Sequence, residues 1–512
     1  MSSSRFKLSS PASQIALCVV VVAGLTVLHG IFAVSIELRV DEAYYWTWSK
    51  ENAVSFLDHP PLIAWFVRSG TALFGESNFG VRFPGLLAML VMQALLADVV
   101  WRVVRDWRYA VAAVLMTEAA PHYGLIMAKI APDTALIPCE LLMIWSLVRL
   151  AQSGEPRWWI PAGLFGGLAL SAKYTAVLLV PAILAFVLVP AWRKRQLASP
   201  WFWTSAALAL LVFSPVLYWN AAHDWASFKF QLDRPPQVSG WSARFIADFI
   251  GQQFALVGVL LLPIVLVAAS MLAVRGYRRR DPVSILLSTA VIFPLLFFLV
   301  RSFSARVGDS WPLLVWPIGF ACAAINLKQW RQETLHSRMA HDSPAFLAFA
   351  ILSGIAFVVA AHVYYILGSA NYLGRNDPIG KEARFGDVVA AADGKRKEIG
   401  ARWFVVSDYR MYSMLRWHLR DAVPVVQINE RARYIGLRNP ALDGPVGLYV
   451  APKDNPRAWV WDGAAARLQV VGQADLAWRG IVYDVYAFQK VTGWGPLLSP
   501  APGHPLYAAR PN

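Results

Sequence analysis

Long apolar segments recur along this chain, and they constrain its fold more than any other feature of the sequence. About eleven stretches approach the length needed to cross a lipid bilayer. They lie near residues 12–36, 82–101, 109–128, 134–150, 158–172, 174–191, 201–221, 249–274, 283–300, 311–327 and 345–368. With 57% hydrophobic and 15% charged residues, the chain of 512 residues is too apolar for a soluble protein. We therefore expect a polytopic α-helical membrane protein with about eleven transmembrane helices.

Basic residues cluster in alternate loops between the apolar segments. The clusters are Arg5/Lys7, Arg102/Arg105/Arg108, Arg149/Arg157, Arg193/Lys194/Arg195, Arg275/Arg278/Arg279/Arg280 and Lys328/Arg331/Arg338. If the segments alternate in direction, every cluster falls on one side, which the positive-inside rule makes cytoplasmic. The net charge of +15 is thereby explained without a nucleic-acid partner. We expect a multi-pass membrane protein with a cytoplasmic N-terminus.

Two parts of the chain do not read as membrane segments. The acidic loop 37–80 is too long for a simple turn, and its stretch 41–50 predicts a short amphipathic interfacial helix. A second interfacial helix is predicted from Pro61 onward. After about residue 369 charges become frequent, and short apolar runs predict strands around a helix at 409–419. We therefore predict a membrane module at 1–368, which includes the loop, and an extracytoplasmic α/β domain at 369–512.

Acids and bases gather in the loops predicted to face outward. Asp41 and Glu42 follow the first apolar segment, and Asp58-His59 lies in the same loop. Asp133 and Lys173 lie at the next two outer turns. A partly buried carboxylate can act as a general base, and nearby cations can stabilise a departing phosphate. Solvated acids and a lysine that snorkels from a helix end are the alternative interpretations.

Several motifs together resemble the GT-C superfamily of membrane glycosyltransferases. The resemblance is to a branch that contains aminoarabinose transferases, galacturonosyltransferases and, more distantly, protein O-mannosyltransferases. The shared motifs are Asp41-Glu42-Ala43-Tyr44-Tyr45, Asp58-His59-Pro60-Pro61, Gly75-Glu76-Ser77, Arg82-Phe83-Pro84, Ala131-Pro132-Asp133, Ser171-Ala172-Lys173-Tyr174-Thr175 and Ser214 to Phe228. The resemblance covers most of residues 37–320 and assigns nothing to the C-terminal domain.

This resemblance implies specific roles for individual residues. Asp41 would be the general base on the acceptor hydroxyl, and Glu42 and Asp133 would be the other catalytic acids. The predicted donor-phosphate and substrate contacts are Asp58, His59, Lys173, Tyr174, Arg234 and Arg306. His59 replaces a lysine of the aminoarabinose branch, so a fixed cation from elsewhere is expected. A divalent ion is left open, with Asp41, Glu42, Asp58, His59 and Asp133 as its candidate ligands.

The implied function is transfer of a sugar from a polyprenyl-phosphate carrier to an envelope acceptor, by inverting displacement at the periplasmic face. No Walker or dinucleotide motif is present, as expected for a donor without a nucleotide. The acceptor would be lipid A, a lipopolysaccharide core, another glycolipid or a protein. The alternatives are a transporter or flippase of lipid-linked or anionic solutes and a non-catalytic assembly protein. The sequence does not name the sugar, the acceptor, the metal dependence, the role of the C-terminal domain or the oligomeric state.

Overall fold

Helices form most of the structure. The computed structural model describes residues 11–127, 129–233, 241–334, 338–368, 370–428, 430–434, 442–454 and 467–492. The first nine helices are α1 (Pro11–Ser35), α2 (Val40–Ser49), α3 (Leu62–Phe74), α4 (Asn78–Val104), α5 (Trp107–Ala119), α6 (Pro132–Ser153), α7 (Trp159–Ala172), α8 (Val180–Val187) and α9 (Arg193–Leu197). The others are α10 (Pro200–Ala222), α11 (Ala226–Asp233), α12 (Ala243–Val257), α13 (Leu261–Arg279), α14 (Pro282–Arg301), α15 (Val315–Glu333), α16 (Arg338–Leu367), α17 (Phe385–Glu398) and α18 (Tyr409–Leu419).

Eight helices of the described chain are long and apolar enough to cross a membrane. They are α1, α4, α6, α10, α13, α14, α15 with the turn before it, and α16. The other three predicted segments, 109–128, 158–172 and 174–191, correspond to shorter helices. Among these, α5 has 13 residues and α7 has 14. The predicted polytopic helical membrane fold is confirmed.

The predicted span at 249–274 is divided into two helices. Helix α12 ends at Val257, and α13 begins at Leu261 and continues to Arg279. Gly258 between them has a φ of +102°, which side-chain-bearing residues rarely adopt. Hydropathy is continuous across this break. The apolar pattern therefore predicted one helix, whereas the backbone forms two.

The chain divides into two compact units. The first consists of residues up to Ala33, His59–Ile63 and Arg82–Tyr365. Within it α7 packs between α6 and α10. A Cβ on Gly163 of α7 would lie 2.3 Å from the Ser205 carbonyl oxygen of α10, so this close helix approach requires glycine. The packing fixes the C-terminal end of α7, where Lys173 follows.

The second unit consists of Val34–Asp58, Ala64–Val81 and the chain from Ile366 onward. Its five-stranded sheet has the order β2-β1-β3-β5-β4. The strands are β1 (Trp403–Val406), β2 (Val425–Gln427), β3 (Gly447–Pro452), β4 (Arg467–Trp478) and β5 (Ile481–Thr492). Strands β1, β2 and β3 run parallel, whereas β5 pairs antiparallel with β3 and β4. The predicted C-terminal sheet and the helix at 409–419 are confirmed, while α17 and β4 were not predicted.

The loop 37–80 is called the outer loop here after its predicted side of the membrane. Its helix α2 is part of the core of this second unit. It was predicted as an amphipathic interfacial helix, yet every residue from Glu42 to Ser49 is buried. Helix α2 packs on α18, where the rings of Trp46 and Trp417 meet edge to face at 5.2 Å. The aromatic side chains of α2 therefore serve protein packing rather than interface anchoring.

Candidate active site

Glu42 holds the beginning of α2 in place. Its Oε2 atom accepts a hydrogen bond of 2.9 Å from the backbone N–H of Arg39, the residue before the helix. This is the carboxylate half of a capping arrangement, which satisfies a backbone donor at the helix start. The side chain is fully buried. Its described geometry therefore favours a structural role for Glu42, and its predicted catalytic role is untested.

Asp41 lies at the start of the same helix and is half-buried. Its Oδ1 atom accepts a hydrogen bond of 3.2 Å from the hydroxyl of Tyr409, at the beginning of α18. The backbone N–H of Tyr409 donates to Glu430 at 2.8 Å, which fixes the position of the ring. Burial, together with the charge of Asp41, raises the pKa of Tyr409, so its phenol keeps the proton that it donates.

Asp58 is buried and faces a cation and a phenol. One oxygen accepts a 2.8 Å hydrogen bond from the hydroxyl of Tyr44, and the other forms a close ion pair with Arg433. The Arg433 guanidinium also lies over the ring of Tyr409, with 4.5 Å between Cζ and the ring centroid. Burial lowers the pKa of Arg433, but the charge of Asp58 outweighs this and raises it above its usual value. Arg433 therefore stays charged.

Tyr409 and Arg433 were missed by sequence reasoning. Their partners Asp41 and Asp58 lie 368 and 375 positions earlier in the chain. Neither residue belongs to a recognised motif. One signal was available, because Tyr409 follows the carboxyl end of a strand predicted in an α/β domain. Functional residues of parallel α/β sheets concentrate at that edge.

Lys173 and Asp133 are brought together in the first unit. The lysine Nζ donates to both carboxylate oxygens of Asp133, at 2.9 and 2.8 Å, and to the carbonyl oxygen of Ser310 at 2.9 Å. Both side chains are almost fully buried. A buried lysine bonded in this way is not snorkelling to the surface, and its predicted contact with the donor phosphate stays a prediction.

The remaining predicted residues differ in their surroundings. The hydroxyl of Tyr174 shares a 2.8 Å hydrogen bond with the buried Ser227. His59 is half-buried and Arg306 is exposed. Arg234 lies outside the described residues. Within the described residues no group of three or more His, Cys, Asp or Glu side chains is placed to hold a metal ion.

Comparisons with known proteins agree with the resemblance noted in the motifs. A family model described as dolichyl-phosphate-mannose-protein mannosyltransferase matches residues 58–219. This range contains Asp58, His59, Asp133, Lys173 and Tyr174. It ends at residue 219, before the loop that follows α10.

Two curated relatives carry names of sugar transferases. The lipid A galacturonosyltransferase RgtD of Rhizobium johnstonii is 28% identical over 256 residues, which cover 48% of this chain and 51% of the relative. The undecaprenyl phosphate-alpha-4-amino-4-deoxy-L-arabinose arabinosyl transferase 1 of Sodalis glossinidius is 25% identical over 260 residues, covering 48% and 45%. The chain therefore spans about half the length of the curated relatives it matches.

Solved structures show the same fold. ArnT from Cupriavidus metallidurans bound to undecaprenyl phosphate superposes with a TM-score of 0.62 at 13% identity, covering 93% of this chain and 97% of ArnT. The apo oligosaccharyltransferase of Archaeoglobus fulgidus reaches a TM-score of 0.51 at 13% identity, covering 81% and 64%. The resemblance predicted from the motifs is thus confirmed: this chain has the fold of ArnT and is similar to the GT-C membrane glycosyltransferases.

Proposed function

We propose that this protein is a glycosyltransferase that moves a sugar from a polyprenyl-phosphate carrier to an envelope glycolipid, lipid A or the lipopolysaccharide core. The names of the two relatives support this donor and acceptor chemistry. The reaction takes place at the periplasmic face of the inner membrane, with the N-terminus in the cytoplasm. The alternation of basic loops supports this orientation.

The exposure of the candidate acids carries the proposal. Glu42, Asp58 and Asp133 are buried and bonded to protein donors, whereas Asp41 is half-buried. A general base must come within hydrogen-bonding distance of the proton it takes, so Asp41 is the acid best suited to that task. Its hydrogen bond from Tyr409 orients the carboxylate.

The chemistry assigned to these residues is a single displacement. The acceptor oxygen attacks the anomeric carbon while its proton passes to Asp41. The bond between that carbon and the phosphate oxygen breaks, and polyprenyl phosphate leaves with the electron pair. The configuration at the anomeric carbon is inverted.

The departing phosphate needs a cation, and Lys173 is the residue to which we assign that contact. Its Nζ atom is buried and held by three oxygen atoms. Asp133 serves to hold this lysine in place. Tyr174, His59, Arg306 and Arg234 are proposed as further donor contacts. Asp58 and Asp133 already face protein cations. The sequence leaves the need for a divalent ion open, and a chelator added to the assay below would test it.

A transfer assay with purified protein in lipid tests the proposal. Polyprenyl-phosphate galacturonate and aminoarabinose are offered as donors, with lipid A, core glycolipid and an envelope protein extract as acceptors. We expect transfer to glycolipid by wild type and a loss of at least about 10³-fold in Asp41→Asn, since the amide cannot accept the proton. Asp443→Asn, a change at an exposed acid of the C-terminal region, is the matched control and should retain full activity.

The outcomes separate the alternatives. Near-normal transfer by folded Asp41→Asn would contradict the assignment of the base. Transfer to protein alone would replace the glycolipid acceptor. No transfer with any donor, from folded wild type, would favour a transporter, and movement of the carrier across the bilayer would then be measured.

A further inference from the structure

The C-terminal region contacts the outer-loop acids through specific polar groups. Tyr409 donates to Asp41, and Arg433 is paired with Asp58. These bonds lie in a buried setting: Asp58 is 4% exposed and Tyr44 beside it 3%. Packing between Trp46 and Trp417 would suffice to hold α2 on α18, so attachment alone does not explain the polar contacts.

The two contacts form one connected chain of side chains. Arg433 is fixed by Asp58 and by Glu430, whose Oε2 lies 3.6 Å away. Its guanidinium stacks over the ring of Tyr409, and that ring contacts Tyr44 at 5.0 Å between centroids. The hydroxyl of Tyr409 then reaches Asp41. The chain therefore runs from Asp58 through Arg433 and Tyr409 to Asp41.

Charge explains why Arg433 lies beside Asp58. Burying a carboxylate without a cation is unfavourable, and Arg433 supplies that cation to Asp58. The stacked cation restricts the ring of Tyr409. The resulting orientation aims a phenolic donor at Asp41, and this hydrogen bond fixes the direction of the carboxylate.

We infer that Tyr409 and Arg433 are positioning residues for the transfer reaction, through which the C-terminal region keeps the Asp41 carboxylate correctly oriented. The inference rests on the proposed function, because it takes Asp41 as the base. It gives the C-terminal domain a role that the sequence left unassigned. The domain holds the helix that carries the base and also orients the carboxylate of the base.

Tyr409→Phe tests the hydroxyl while it keeps the ring in place. We expect kcat to fall about 10-fold with little change in KM, because one hydrogen bond to a charged group is lost. KM should stay unchanged because the hydroxyl orients the base and is not assigned a contact with either substrate. A purely structural tyrosine would lower stability and leave kcat per folded molecule unchanged.

Tyr483→Phe is the matched control. Its hydroxyl donates to the Gly374 carbonyl at 2.9 Å and accepts from Asn371, so this variant removes a phenolic hydrogen bond from the same unit without touching a carboxylate. We expect an unchanged kcat and an unchanged KM.

Arg433→Gln and Arg433→Lys test the cation. The glutamine variant should lower kcat by about 100-fold, and lysine should restore part of the loss because it returns the charge without the planar fork. Arg402→Lys, at an exposed arginine of the same unit, should behave as wild type. If Arg433→Gln does not fold, Tyr409→Phe decides the question.

Two results must be compared to interpret the outcome. Wild-type kcat per folded molecule in Tyr409→Phe, with Asp41→Asn inactive, would overturn the inference and leave the proposed function intact. An active Asp41→Asn would instead overturn the proposed function. A lowered kcat with unchanged KM in Tyr409→Phe, with Tyr483→Phe normal, would support the inference.

Discussion

At the residue scale, the ion pair between Lys173 and Asp133 offers a direct test of how a buried charge is held. The two side chains are 5% and 4% exposed and lie 2.8 Å apart. Lys173→Met should lower the free energy of unfolding by about 3–5 kcal/mol, because it leaves Asp133 as an uncompensated buried charge. The double variant Lys173→Met/Asp133→Asn should recover much of this stability. Thermal or denaturant unfolding in detergent provides the measurement.

An exposed pair of the same chemistry serves as the control for that cycle. Lys229 and Asp224 also lie 2.8 Å apart, but their side chains are 56% and 91% exposed. Lys229→Met should change stability by no more than about 0.5 kcal/mol, since solvent screens this pair. Equal effects of the two lysine substitutions would show that burial of the Lys173 pair is not what makes it important.

Single residues also mark the limit of what the sequence could predict. Loop alternation predicts that Asp41, Asp133 and Lys173 face outward, and their residue types suggest the chemistry; both remain predictions. Their bonds did not follow, because Lys173 meets Asp133 only when α6 and α7 pack together. Tyr409 and Arg433 could not be chosen among many tyrosines and arginines, since long-range contacts leave no local pattern.

At the element scale, the contact between α2 and α18 holds the helix that carries Asp41. Trp417 is 2% exposed and packs edge to face against Trp46. Trp417→Ala should destabilise the unit by about 3–5 kcal/mol, because it opens a large cavity. Trp417→Phe should lose less. As stability falls, the outer loop should be cut faster in limited proteolysis and transfer activity should decrease. Unchanged protease resistance in Trp417→Ala would contradict this prediction.

Helices and strands with a local sequence pattern were predicted correctly, and those without one were missed. Helix α18 matches its predicted range, and β1 is an unbroken apolar run that is buried throughout. Strand β4 was missed because it is an edge strand with one buried residue among its twelve and with Gly472 and Asp475 inside it. The break at Gly258 was missed because a single backbone angle leaves hydropathy unchanged.

At the scale of the whole molecule, the fold was predictable because a bilayer demands long apolar helices. The grouping of the outer loop with the chain after Ile366 could not be predicted, because it results from packing between distant segments. Orientation is a different kind of property. It follows from charge in the loops rather than from side-chain contacts, and it therefore needs its own experiment.

Cysteine labelling in a background without the three native cysteines would determine the orientation. Cys18, Cys139 and Cys322 are replaced by alanine, and one new cysteine is introduced at Arg278 or at Asp443, both exposed. A membrane-impermeant maleimide should label Asp443→Cys in cells whose outer membrane alone is permeable. Arg278→Cys should react only after the inner membrane is opened, because its basic cluster is retained in the cytoplasm. The reverse pattern would place Asp41 and the α/β domain in the cytoplasm if both share the side of Asp443, and it would contradict transfer at the periplasmic face.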